Sequence, residues 1–124
     1  MLGKRTDIIN YLIANNPKYE EYLEIGVGDP DKNFHKIAIS KKDGVDPGIV
    51  NKMPSFWSQA RPGAHSIFYT MTSDVFFSHH SDSKWDIIFV DGLHLGEQVA
   101  TDLFNTVSRL NPGGTVIVHD CNPP

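Results

Sequence analysis

Cysteine is nearly missing from this chain of 124 residues: Cys121 stands alone. One thiol excludes an internal disulfide and a cysteine-built zinc site, and it suits a reducing cytosol. No apolar run approaches the ~18 residues that a membrane helix needs. The opening Met1-Leu2-Gly3-Lys4-Arg5 is not followed by a signal-type apolar stretch. Positive charge is also in short supply, with 11 Lys and Arg against 15 Asp and Glu, a net charge of −4. That balance leaves no electrostatic footprint for nucleic acid or for an anionic membrane. Internal repeats and low-complexity tracts are absent as well. The expectation is one cytoplasmic domain over residues 1–124, long enough to bury a core without staples.

What is present is a recurring unit: a short apolar run, then an acidic or small polar residue, then a helical pattern. Thr6 is placed to cap a helix with Ile8, Ile9, Leu12 and Ile13 on one face, ending before Pro17. Tyr22–Ile25 reads as a first strand, and Asp31 as the cap of a helix through Phe34, Ile37 and Ala38. Lys42–Val45 reads as a weak second strand. Residues 47–65, with Pro47, Gly48, Pro54, Pro62 and Gly63, read as a long loop with room for one helical turn. Ile67–Met71 is a third strand, followed by a short helix capped by Ser73. Ile87–Val90 is a continuous apolar run of the kind that parallel sheets bury on both faces. A helix from about Leu95 to Leu110 carries Val99, Leu103, Val107 and Leu110 on one stripe, and Thr115–Val118 is the fifth strand. Alternating strands and helices imply an α/β fold with a parallel sheet, in spatial order 3-2-1-4-5 with the Ile87–Val90 strand central.

In such a sheet, ligands bind beyond the carboxyl ends of the strands. The residues there are Gly26-Val27-Gly28-Asp29, Asp46, Thr72-Ser73-Asp74, Asp91 and His119-Asp120. Turn chemistry alone favours Asp and Gly at any one of these ends. Five ends in register on one edge argue for a site. A dinucleotide fold needs Gly-x-Gly-x-x-Gly so that the backbone can approach a pyrophosphate. Here the third glycine position is Asp31, beside Asp29. Two extra carboxylates would repel a pyrophosphate and suit a cationic ligand such as S-adenosylmethionine, with Asp46 placed for its ribose hydroxyls.

Tyr22-Leu23-Glu24-Ile25-Gly26-Val27-Gly28 with Gly44-Val45-Asp46-Pro47 resembles the first two motifs of class I S-adenosylmethionine-dependent methyltransferases. Four further stretches are Phe89-Val90-Asp91-Gly92-Leu93-His94, Glu97-Gln98-Val99, Asn111-Pro112-Gly113-Gly114 and Val118-His119-Asp120-Cys121. They resemble the branch that includes macrolide-sugar O-methyltransferases and many uncharacterised bacterial methyltransferases. The resemblance implies a Rossmann-like three-layer sandwich and O-methylation of a small polar acceptor, such as one containing a sugar. It implies that Glu24, Gly26 and Gly28 line the methionine part of the cofactor, that Asp46 holds the ribose, and that Ser73 and Asp74 lie near the adenine. Asp91 joins the cofactor site. By the same resemblance Asp91 and Asp120 would hold Mg²⁺; Cys121 stands where catechol-type relatives place an Asn, and Asn122, one residue on, is the candidate substitute ligand. His94 would be the catalytic base.

The family's usual sixth and seventh strands have no counterpart here, so the chain reads as truncated after the fifth strand. That strand would be an open edge suited to pairing with a second copy. Two rival readings follow: a truncated, non-catalytic domain for cofactor binding or assembly, and an NAD-dependent oxidoreductase. Trp85 and Phe89 read as core packing, His79-His80 as a solvated turn, and Phe56-Trp57 as a lid or a tucked surface loop.

Overall fold

The fold was established from a computed structural model, which describes residues 4–49, 65–91 and 96–119. Five parallel strands form one sheet: β1 (Glu21–Ile25), β2 (Lys41–Val45), β3 (His65–Tyr69), β4 (Trp85–Val90) and β5 (Leu110–Val118). Their order is β3-β2-β1-β4-β5, with β1 in the middle and β4 beside it. Three helices accompany them: α1 (Arg5–Ala14), α2 (Ser73–His79) and α3 (Gly96–Val107). None of the helices among the described residues is long and apolar enough to cross a membrane.

The period of two in the strands divides the core between the two faces of the sheet. On one face Tyr22, Ile87 and Phe89 pack with Ile9 of α1 and with Phe34 and Ile37. On the other, Leu23, Ile25, Val45, Ile88 and Val90 pack with Phe76 and Phe77 of α2. Trp85 is 3% exposed, and its ring N–H donates to Asp43 Oδ2 at 2.8 Å. Burial pushes the Asp43 carboxyl up from its ordinary value, a shift that this bond and nearby histidines oppose.

Several local expectations change. Thr6 lies inside α1 instead of capping it: its hydroxyl donates to Asn33 Oδ1 at 2.5 Å, and Lys4 is the cap position. The helix expected after Asp31 is two 3₁₀ turns, Pro30–Lys32 and Phe34–Lys36, and Asp29 caps the first by accepting from the Asp31 N–H. Asn33 divides them because its backbone leaves the helical region (φ −145, ψ −56) while its side chain is drawn into the core. Lys42, 8% exposed, completes the segment by donating to the carbonyls of Phe34 and Ile37. Thr72, not Ser73, caps α2. Among the described side chains of α3 the buried ones are Asp102 and Thr106, at 2% and 0% exposure, whereas Val107 faces solvent. β5 starts at Leu110, because Trp85 pairs with Leu110 and Ile87 with Thr115. The residues between form a bulge, where Pro112 owes no ladder donor.

Gly44 shows how closely β2 is covered. A Cβ there would lie 2.9 Å from Val27 Cγ2, 3.1 Å from Phe34 Cε1 and 3.2 Å from Phe68 Cδ1. Three packed side chains would have to yield, so Gly44→Ala is expected to destabilise the fold by about 1–3 kcal/mol. Denaturant unfolding measures this; an unchanged midpoint would show that the packing at β2 is looser than these distances require.

Candidate functional site

The parallel ladder runs one residue past β1, β2, β4 and β5, and this carries the candidate side chains to a single edge. Gly26 N–H donates to Val45 O at 2.8 Å, Asp46 N–H to Tyr69 O at 3.2 Å, Asp91 N–H to Ile25 O at 2.8 Å and His119 N–H to Val90 O at 2.9 Å. A cleft of about 390 Å³ opens above them, within the range of small-ligand pockets. Its floor is Ile25, Gly26 and Val45. Its polar walls are Asp46, Ser73, Asp74, Asp91 and Asp102. Gly26, Asp46, Ser73, Asp74 and Asp91 are thus brought together from four separate stretches of sequence.

The loop after β1 turns on two glycines in the left-handed region, Gly26 at φ 88 and Gly28 at φ 60. A side chain would be strained at either position. The turn aims the Gly28 N–H at Asp46 Oδ2 (3.0 Å), while the Gly48 N–H meets Asp46 Oδ1 (2.7 Å). Two backbone donors therefore fix this carboxylate, and each oxygen retains a second acceptor position. Across the cleft, the Ser73 hydroxyl donates to Asp102 Oδ1 at 2.6 Å, which ties α2 to α3. The sequence reading missed Asp102. The sign of it was a carboxylate one helical turn before Thr106, which the apolar stripe obscured.

Glu24 does not line this cleft. It lies beneath it at 1% exposure, on the face packed against α1. Its Oε1 accepts from the Tyr22 hydroxyl at 2.5 Å and from Asn33 Nδ2 at 2.8 Å, and Asn33 accepts in turn from Thr6. Burial pushes the Glu24 carboxyl up to about 7; the bonds from Tyr22 and Asn33 and the charge of Arg5 pull the other way. Burial, then the neighbouring Glu24, raises the Tyr22 hydroxyl as well. This network joins α1, the 3₁₀ segment and β1 directly below the glycine turn.

Asp91 stands at the margin of the cleft with both oxygens engaged. Arg5 Nη1 donates to Oδ2 at 2.9 Å, and His119 Nδ1 lies 3.4 Å from Oδ1. Neither partner was anticipated, because Arg5 is separated from Asp91 by 86 positions and sequence offers no sign of such a pair. Among the described residues there is no group of three His, Cys, Asp or Glu that could hold a metal. The expected metal ligands Asp120 and Asn122, with Cys121, lie outside the described residues, as do His94 and Phe56-Trp57.

A family model described as a methyltransferase domain matches residues 24–121, most of the chain. The chain belongs to this methyltransferase family. The match starts at Glu24 and includes every residue of the cleft. The described sheet is the Rossmann-like scaffold of such a domain. Comparison with curated proteins and with solved structures gave no significant match.

Proposed function

We propose that this methyltransferase binds S-adenosylmethionine in the cleft above β1, β2 and β4 and methylates a hydroxyl of a small polar acceptor. The observation that carries the reading is the sign of the cleft: four aspartates line it, and no Lys, Arg or His does among the described residues. A pyrophosphate-bearing dinucleotide would meet four aspartates and no described cation on the walls of this cleft. A ligand with an ammonium and a sulfonium meets opposite charge, so the residues present fit the methyl donor. When bound, the donor supplies an electrophilic methyl group.

The chain's residues then have separable tasks. Asp46, fixed by Gly28 and Gly48, accepts from the ribose hydroxyls. Ser73 and Asp74 flank the adenine end. Asp91, held by Arg5, fixes the side of the cleft from which an acceptor approaches. His94, three residues beyond Asp91, is the proposed base, a role suited to an imidazole near neutral pH. Asp91, the one expected metal ligand among the described residues, pairs with the Arg5 cation. No step of the proposal passes through a metal.

Calorimetric titration of the protein with S-adenosylmethionine and, separately, with NAD tests the reading. Saturable binding of the first alone is expected. Binding of NAD alone would favour the oxidoreductase reading instead.

A further inference from the structure

A second cleft, of about 630 Å³, opens on the opposite side of Asp91 and has the opposite sign. Its cationic walls are Lys4, Arg5, Lys32 and Lys36, with His119 beside them and Asp7 the one acid among its described lining residues. They come from three places in the chain: the start of α1, the 3₁₀ segment after β1, and the residue following β5. Four of the protein's 11 Lys and Arg thus gather at one cleft in a chain of net charge −4. Arg5 is committed to Asp91. Lys4, Lys32 and Lys36 are exposed and form no ion pair among the described residues. With Asp7 as their one described acidic neighbour in the cleft, these cations outnumber the acids there, and an anionic ligand would supply the counter-charge.

The two clefts share a wall. Asp91 lines the first, while Arg5 and His119, which engage its two oxygens, line the second. A ligand in the basic cleft is therefore separated from the acidic one by a single layer of side chains at the sheet's carboxyl edge. We propose that the basic cleft holds the methyl acceptor by an anionic group, phosphate or carboxylate, and that the acceptor is an anionic small molecule. Its role as acceptor rests on the reading of the first cleft as the methyl-donor site; the binding of an anion does not. Lysine ammonium groups serve phosphate or carboxylate as compact point charges, and contacts of this exposed kind weaken with salt.

The test uses the full chain, titrated by calorimetry with pyrophosphate, with citrate and with S-adenosylhomocysteine, at low salt and in 0.5 M NaCl. The same titrations are made on Lys32→Glu/Lys36→Glu and on Lys32→Gln/Lys36→Gln. Both lysines are exposed, and thermal unfolding checks that the variants fold. The expected result is that pyrophosphate or citrate binds the protein saturated with S-adenosylhomocysteine, and that added salt weakens it. Its affinity falls at least tenfold in the Glu variant and less in the Gln variant, while the affinity for S-adenosylhomocysteine is unchanged. The tighter anion distinguishes a phosphorylated acceptor from a carboxylated one. No anion binding, or equal affinity in all three proteins, overturns the proposal. So does competition between the anion and S-adenosylhomocysteine, which would place both in one cleft. If the anion binds and responds to the variants while S-adenosylhomocysteine fails to bind, the donor reading and the acceptor role fall together, and the basic cleft stands as an anion site alone.

Discussion

Asp46→Ala is expected to weaken S-adenosylmethionine binding by roughly 10–150-fold, the effect of removing a charge-assisted hydrogen bond of about 1.5–3 kcal/mol. Alanine also releases the Gly28 and Gly48 N–H groups, which bond Asp46 Oδ2 and Oδ1. Part of the loss is therefore a loosened glycine turn. Asp46→Asn separates the two contributions, since the amide keeps one carbonyl acceptor but loses the charge and presents a donor where the second oxygen was. The expected order of affinity is wild type, then Asn, then Ala, with all three proteins folded. Equal affinity for wild type and a folded Asp46→Ala would remove Asp46 from the cofactor site.

The second large effect concerns Glu24 and pH. Its carboxyl titrates near 7 in the folded protein against an ordinary 4.5. The folded state thus holds the proton more tightly than the unfolded chain. A raised folded value gives stability that is fully present below about 4.5 and is lost as pH rises through about 7. Each pH unit of difference corresponds to about 1.4 kcal/mol. Glu24→Gln cannot ionise, yet its carbonyl can accept from Tyr22 and Asn33 as Glu24 Oε1 does. The stability of the Gln variant relative to wild type should therefore rise by about 2–3 kcal/mol between pH 5 and pH 8, whatever the fixed cost of the amide. Denaturant unfolding at the two pH values measures it. Parallel pH dependences would mean that Glu24 is solvated or compensated in a way its burial does not suggest.

The strand order was legible because β4 carries a continuous apolar run, β1 is a short strand ended by the Gly26 turn, and the crossover rules leave few topologies for them. The cleft residues were legible for a related reason. Asp46 and Asp91 directly follow the last apolar residue of β2 and β4, so placing the strands placed the carboxylates. What stayed hidden depends on partners distant in sequence. Phe34 and Ile37 have helical spacing, but the pull of Glu24 on the Asn33 side chain and of Lys42 on the Phe34 and Ile37 carbonyls splits that segment into 3₁₀ turns. Glu24 sits in the family motif, yet strand alternation puts it on the buried face with Tyr22, and only the folded chain supplies the amide and hydroxyl that make burial tolerable. Asp102 was concealed by the assumption that the inward face of α3 must be apolar. The basic cleft was invisible for a third reason: the Lys4-Arg5 pair, Lys32 with Lys36, and His119 lie far apart along an acidic chain.

The central claim is that the four-aspartate cleft at the carboxyl edge of the sheet is where the methyl donor lies. The most direct test is a crystal structure of the protein with S-adenosylhomocysteine. The account predicts the ribose hydroxyls within hydrogen-bond distance of the Asp46 carboxylate and the adenine beside Ser73 and Asp74. A ligand seated in the basic cleft, or one that leaves Asp46 bonded only to Gly28 and Gly48, would contradict it.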